Sequence, residues 1–189
     1  MQKSEERELI RRFKDGDTSV FERIVLDYQD RIYNLCRHML DDPHDAEDAA
    51  QDVFIKAYWN LKNFTHDASL YTWLYRIAVN TCIDHQRKPF FESLFKWSPE
   101  GEAQTIDHAS EAPSPERLFA SKQMAQALQK SLKKLSPKLR AVIILKEVEE
   151  LSYEEIAEML DISLGTVKSR IYRARDELRA LMKKFTEQS

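Results

Sequence analysis

Glycine is nearly missing from this chain: Gly16, Gly101 and Gly165 are the only three in 189 residues. Tight hairpin turns depend on glycine, so a sheet of short, closely connected strands is excluded and helices are expected. Cysteine is as scarce. Cys36 and Cys82 fall outside any CxxC or Cys/His cluster, which argues against zinc and dithiol redox chemistry and leaves two small core residues. Long apolar runs are absent too. The longest is Ala141 to Leu145, where a bilayer span needs ~20 residues, so no membrane insertion is expected. The N-terminus, MQKSEERELIRRFKDGD, is charged from its first residues and has no apolar segment before a cleavage site, which implies a cytoplasmic location. Finally, there is little net charge: −3, although 32% of the residues are charged. On average that disfavours a nucleic-acid partner, but the sign of the charge changes sharply along the chain.

What is present is helical periodicity, interrupted once. A first helix runs from Ser4 to Asp15 and stops at Gly16, a residue suited to a C-terminal cap. Ser19 and Glu22 have capping-box spacing. Behind them Phe21, Ile24, Val25, Tyr28, Ile32, Leu35, Cys36 and Met39 recur at three and four residue steps and form one face of a core helix. Asp42 and Pro43 suit the cap and first position of the next helix, whose apolar face is Ala46, Ala49, Ala50, Val53, Ala57 and Leu61. A further helix from about Ser69 to Lys88 closes domain one, residues 1–88. Residues 89–116 break the rhythm with four prolines and Gly101, and carry six carboxylates against Lys96, which reads as an acidic flexible linker. Phe90, Phe91, Leu94, Phe95 and Trp97 within it are too apolar to leave in water and are expected to dock on something. Helices resume over 117–189, with Leu128, Leu132 and Leu135 on one face, Ser136-Pro137 opening the next helix, and Val142, Leu145 and Val148 in the core. The expected fold class is all-α: two small helical domains joined by a flexible linker.

The clearest motif lies in the second domain, LSYEEIAEMLDISLGTVKSRIYRARDEL, residues 151–178. Ser152 and Glu155 form a capping box, Ile156, Ala157 and Leu160 give a short buried face, and Asp161 to Ser163 turn into another helix capped by Ser163. Helix, tight turn, helix in this register is the helix-turn-helix that reads duplex DNA. Val167, Ile171, Ala174, Leu178 and Leu181 set the buried side of the second helix, which leaves Lys168, Ser169, Tyr172 and Arg173 opposite, flanked by Arg170 and Arg175. Arginine and lysine there can pair with guanine edges or phosphates. Between Ser163 and Lys184 seven basic residues face only Asp176 and Glu177.

DAEDAAQDVFIKAYWNLKNF (45–64), SLYTWLYRIAVNTCIDHQRK (69–88) and the segment 135–178 resemble the extracytoplasmic-function (group 4) sigma factors of the sigma-70 family. The match of order and spacing spans nearly the whole chain except the linker. The resemblance implies that domain one binds core RNA polymerase through Asp48, Gln51, Asp52 and Phe54, with Lys56 nearby. It implies that the 69–88 helix recognises the minus-ten promoter element and that the preceding loop, 63–68, holds a flipped base. Spacing puts Leu70, Leu74, Ile77 and Thr81 on the inner side of that helix, so Arg76, Asn80, Ile83 and Arg87 share an outer stripe, with Lys88 at its end. Phe64, Tyr71 and Tyr75 are near enough to stack on bases, which contributes ~1–3 kcal/mol per base, while Trp73 points nearer the core. Lys168, Ser169, Arg170, Tyr172, Arg173 and Arg175 become the minus-35 contacts.

Further implications are promoter DNA and an anti-sigma factor as partners, and a stress or envelope response. No catalytic residue, cofactor or metal is expected, because binding the unpaired strand offsets the cost of unstacking. Two rival readings are weaker. A plain helix-turn-helix regulator leaves the Arg76, Asn80 and Arg87 stripe unexplained. A metal enzyme built on Asp41, Asp42, Asp45, Glu47, Asp48 and Asp52 lacks a paired histidine and a second acidic helix.

Overall fold

The computed structural model describes residues 3–65, 68–93 and 115–186, and the side chains of 4–65, 68–87 and 123–184. Within these residues all regular structure is helical: α1 (Lys3–Lys14), α2 (Val20–Met39), α3 (Pro43–Asn60), a 3-10 turn (Leu61–Asn63), α4 (Leu70–Ser93), α5 (Pro115–Lys134), α6 (Pro137–Glu147), α7 (Tyr153–Leu160) and α8 (Leu164–Thr186). The all-α expectation holds. In the first half α3 packs against both α2 and α4, and α2 against α4, with α1 laid across α2 and the 3-10 turn. In the second half α5, α6 and α7 all pack on α8.

Local chemistry explains most boundaries. Gly16 ends α1 with φ +106, a conformation that a Cβ would strain. Asp42 caps α3 by accepting from the amides of His44 (2.7 Å) and Asp45 (3.4 Å), and Pro43 occupies the first turn. Ser19 and Glu22 do not form the expected capping box. Ser19 already has helical backbone angles, and its hydroxyl donates to the Asp17 carboxylate instead. The α4 helix also outruns its expected end: Pro89 does not stop it, and the backbone stays helical to Ser93. Most of the acidic segment, including Phe95 and Trp97, lies outside the described residues, as do the side chains of Phe90 and Phe91.

The α2 and α3 apolar faces are buried as their spacing requires, except that Phe21 and Val25 in the first turns of α2 are only half-buried. In the second half two leucine-type assignments need correction. Leu128 and Val148 are exposed, and the buried positions are Ser131 on α5 and Leu135 just after it. Ser131 turns its hydroxyl to the Ala127 carbonyl and the Met182 sulfur of α8, which satisfies a polar group in that buried position. On α7 the fully buried residues are Ile156 and Met159, with Ala157 and Leu160 only half-buried.

The two halves touch. α6 packs on α2 and α4, and α7 packs on α4. At the seam lies Arg140, only 5% exposed. Its guanidinium donates to the Met39 carbonyl at 2.7 Å, to Leu132 at 2.9 Å and to Lys133, with the Asp41 carboxylate at 3.3 Å. Burial holds its pKa below the ordinary value, an effect that Asp41 offsets only in part. A cation this deep is tolerable because its donors are met by carbonyls from both halves.

Candidate polymerase and nucleic-acid interfaces

Three surfaces carry the residues singled out in the sequence. On α3 the side away from the alanine face holds Asp48 and Gln51, both exposed, and Asp52, whose carboxylate lies 3.0 Å from the His85 ring of α4. Ile55 (54% exposed) and Trp59 (73%) extend the same face. Sequence reasoning missed both, although the steps 48, 51/52, 55 and 59 place them in one line. Two large apolar side chains rimmed by carboxylates on a helix suit a protein partner. Phe54 is half-buried and packed against the core. Lys56 is tied inward, donating to the Thr81 hydroxyl at 2.9 Å.

The second surface is α4. Its inner side is broader than expected, since Tyr75, Ala78, Val79 and Cys82 are buried with Leu70, Leu74 and Thr81. Of the outer stripe, Asn80 and Arg87 are exposed and Ile83 is half-buried. The Lys88 side chain lies outside the described residues. Arg76 faces the second half: it donates to the carbonyls of Glu158 (2.6 Å) and Met159 (3.0 Å) at the end of α7. The last carbonyls of a helix lack intrahelical partners and carry its negative dipole end, which makes them a natural seat for a guanidinium.

The aromatic expectations at α4 are corrected in two places. Tyr75 is fully buried and donates its hydroxyl to Glu149 at 2.8 Å, so it cannot stack on a base in this arrangement. Burial, aided by Glu149, holds its phenol well above the ordinary pKa. Phe64 is 5% exposed and meets Trp73 edge-on at 5.2 Å, a packing contact. Tyr71, half-buried against Tyr75 at 4.2 Å, keeps part of its ring free.

The third surface is the helix-turn-helix. The Ser152 hydroxyl accepts from the Glu155 amide (3.1 Å) while the Glu155 carboxylate accepts from the Ser152 amide (2.8 Å). Asp161 adopts a left-handed conformation at φ 53, turning the chain, and Ser163 starts α8 by accepting from the Thr166 amide at 3.1 Å. Val167, Ile171 and Ala174 are buried. On the other side Lys168, Ser169, Arg173 and Tyr172 (74% exposed) face outward, and Arg170 is half-buried. Arg175 is exposed but paired with Glu147 at 2.6 Å. A groove bordered by Lys168, Tyr172, Arg175 and Arg179 runs along this face. An exposed basic helix carried on a rigid capped neighbour is the geometry of major-groove reading.

The chain matches two families in tandem: Sigma-70 region 2 over residues 24–89, and Sigma-70 region 4 over residues 125–178. The ECF RNA polymerase sigma factor SigW of Bacillus subtilis is 41% identical over 173 residues, spanning 90% of this chain and 92% of that protein. This chain is an ECF sigma factor of the sigma-70 family. Other relatives of this sigma factor are the RNA polymerase sigma-H factor of Pseudomonas aeruginosa, 37% identical over 92% of each chain, and the ECF sigma-E factor of Escherichia coli, 35% identical over 90% of each. Among solved structures it is similar to the sigma factor RpoE of Bartonella quintana in complex with the anti-sigma factor NepR (TM-score 0.68, 28% identity, 86% of this chain and 96% of that one). It is also similar to CnrH in complex with the cytosolic domain of CnrY (TM-score 0.65, 26% identity, 95% and 97%). The sigma family consists of transcription initiation factors without chemistry of their own. Among the described residues of this sigma factor no helix is long and apolar enough to cross a membrane.

Proposed function

We propose that this sigma factor docks on core RNA polymerase through the α3 face, reads the minus-35 element with α8 and opens and reads the minus-ten element with α4. The observation that carries the reading is the division of labour in one chain: an apolar, carboxylate-rimmed face on α3 and two separate helices with basic outer residues. The polymerase contacts are Asp48, Gln51 and Asp52, joined by Ile55 and Trp59, with half-buried Phe54 at the edge. Lys168, Ser169, Arg173 and Tyr172 serve duplex DNA, with Arg170 and Arg175 at the flanks. Tyr71, Arg76, Asn80, Ile83, Arg87 and Lys88 serve the opened strand. The protein works in the cytoplasm as a specificity subunit and has no enzymatic activity of its own. That RpoE is seen with an anti-sigma factor supports such a partner here.

The packed arrangement bears directly on this mechanism. Arg76 is held by the end of α7, and Tyr75 by Glu149, so α4 is covered by the very module that reads the minus-35 element. Promoter elements lie apart along DNA, and the two reading helices can meet both only once the halves separate. Polymerase, by engaging each half, supplies the energy for that separation. The weak net charge of −3 works in the same direction, because it denies the free chain strong non-specific attraction to DNA.

Purified protein mixed with core polymerase is expected to give promoter-specific transcripts from a genomic DNA pool. Absence of transcripts, or tight promoter binding by the free chain at physiological salt, would overturn the reading.

A further inference from the structure

The α1 helix lies before the segment that matches Sigma-70 region 2, which begins at residue 24. Its apolar face seats it firmly. Ile10 and Phe13 are buried, and Phe13 meets the Tyr58 ring edge-on at 5.3 Å and Phe21 at 5.8 Å. Glu6 and Lys14 stand at either end of that face, two turns or about 12 Å apart by helix rise. Neither is spent on an ion pair with the other. The Glu6 carboxylate accepts from the Leu70 amide at 2.8 Å, and the Lys14 ammonium donates to the Phe64 carbonyl at 2.5 Å.

These two backbone groups bracket the approach to α4. Leu70 is the first residue of that helix, where the amide has no intrahelical partner, and the Ser69 side chain is engaged with the amide and hydroxyl of Thr72. Phe64 follows the 3-10 turn and carries the ring that packs on Trp73. Both bonds are charge-assisted and partly buried, so they are stronger and more directional than surface contacts. One rigid helix thus fixes the starting position of α4 and the backbone of Phe64 upstream of it.

We infer that Glu6 and Lys14 are positioning residues for reading of the opened minus-ten strand. They touch no DNA. Glu6 holds the first turn of α4, and Lys14 the backbone at Phe64 ahead of it, at the place from which Tyr71, Arg76 and Asn80 are aimed, and displacements of about 1 Å in such supports are enough to degrade recognition. The inference rests on the assignment of α4 to the minus-ten element.

The test uses holoenzyme assembled from the full chain and core polymerase. Affinity is measured for single-stranded minus-ten oligonucleotides carrying the preferred base and a substituted base, alongside polymerase affinity and thermal unfolding of each variant. Glu6→Leu and Lys14→Met are expected to lower the discrimination between the two oligonucleotides about tenfold, the scale of one lost bond to a charged group, with polymerase affinity unchanged. Glu6→Gln and Lys14→Arg, which keep an acceptor and a donor, should restore most of it. Lys14→Met keeps the test decisive should Glu6→Leu fail to fold. Unaltered discrimination in folded variants overturns the inference, as does a loss of stability or polymerase binding with discrimination intact. If wild-type holoenzyme itself shows no base preference, the minus-ten assignment fails and this inference with it.

Discussion

The two helices proposed to read DNA, α4 and α8, are built on opposite terms. α8 buries a narrow stripe, Val167, Ile171 and Ala174, and leaves its basic face open to solvent. α4 is buried around much of its circumference, from Leu70 and Leu74 through Tyr75, Ala78 and Val79 to Cys82. Its Arg76 is already bonded to the other half. The difference fits the two proposed targets. Duplex DNA presents an accessible groove that a ready-made helix can enter at once. An opened strand exists only inside the polymerase complex, so a reading helix that stays covered until then loses nothing and avoids unproductive binding.

The contrast can be broken most severely at Arg140, the guanidinium between the halves. Arg140→Met should cost about 3 kcal/mol of stability in urea unfolding, because carbonyls of Met39, Leu132 and Lys133 lose a shared donor inside the protein. A cost below ~1 kcal/mol would mean that the seam is fastened elsewhere.

A smaller effect separates the helices by function. In the free chain, Arg173→Ala on α8 should weaken duplex binding by roughly 1–2 kcal/mol and flatten its salt dependence, whereas Arg76→Ala on α4 should leave it nearly unchanged. Equal losses from both in a filter-binding salt series would erase the distinction. Smaller still is Tyr75→Phe, which removes the bond to Glu149 and should loosen the seam by about 1 kcal/mol. Energy transfer between fluorophores on the two halves should fall, and binding of single-stranded DNA by the free chain should rise.

The gentlest probe is pH. Tyr28, in the first half, has its phenol pushed up to about 12, mainly by burial and also by Glu6. Folding therefore favours the protonated phenol. The contribution is complete below pH 10, where the unfolded tyrosine also holds its proton, and declines as pH rises from 10 towards 12. Tyr71 and Tyr75 are raised by burial in the same half, whereas Tyr172 on α8 is exposed. Alkaline unfolding followed by tyrosinate absorbance should begin in the first half, and Tyr28→Phe should shallow the decline.

How much of this was readable beforehand depends on whether a residue answers to its own helix or to a distant one. The Ser152–Glu155 capping box, the Asp42 cap, and the buried line of Val167, Ile171 and Ala174 follow from spacings of three and four, because those interactions close within one or two turns. The exposure of Lys168, Ser169, Tyr172 and Arg173 follows from the same arithmetic. The Ser19 box failed since Asp17, just upstream, competes for the hydroxyl. Leu128 and Val148 failed for a different reason: apolar character shows that a residue can be buried, but not that a neighbour arrives to cover it.

By itself the sequence determined that this protein is helical, that it carries a capped helix-turn-helix with a basic face, and that a second polar stripe runs along residues 76 to 87. Tertiary structure decided which of those groups are free. Tyr75 and Phe64 became packing residues, Arg76 a fastener, Lys56 a partner of Thr81, and α1 a brace whose Glu6 reaches Leu70 across the fold. Apart from the Phe64–Trp73 contact, which is closer in sequence, each outcome depends on a backbone or side-chain partner tens of residues away. Periodicity describes a helix turning about its own axis and carries no information about what lies beside it.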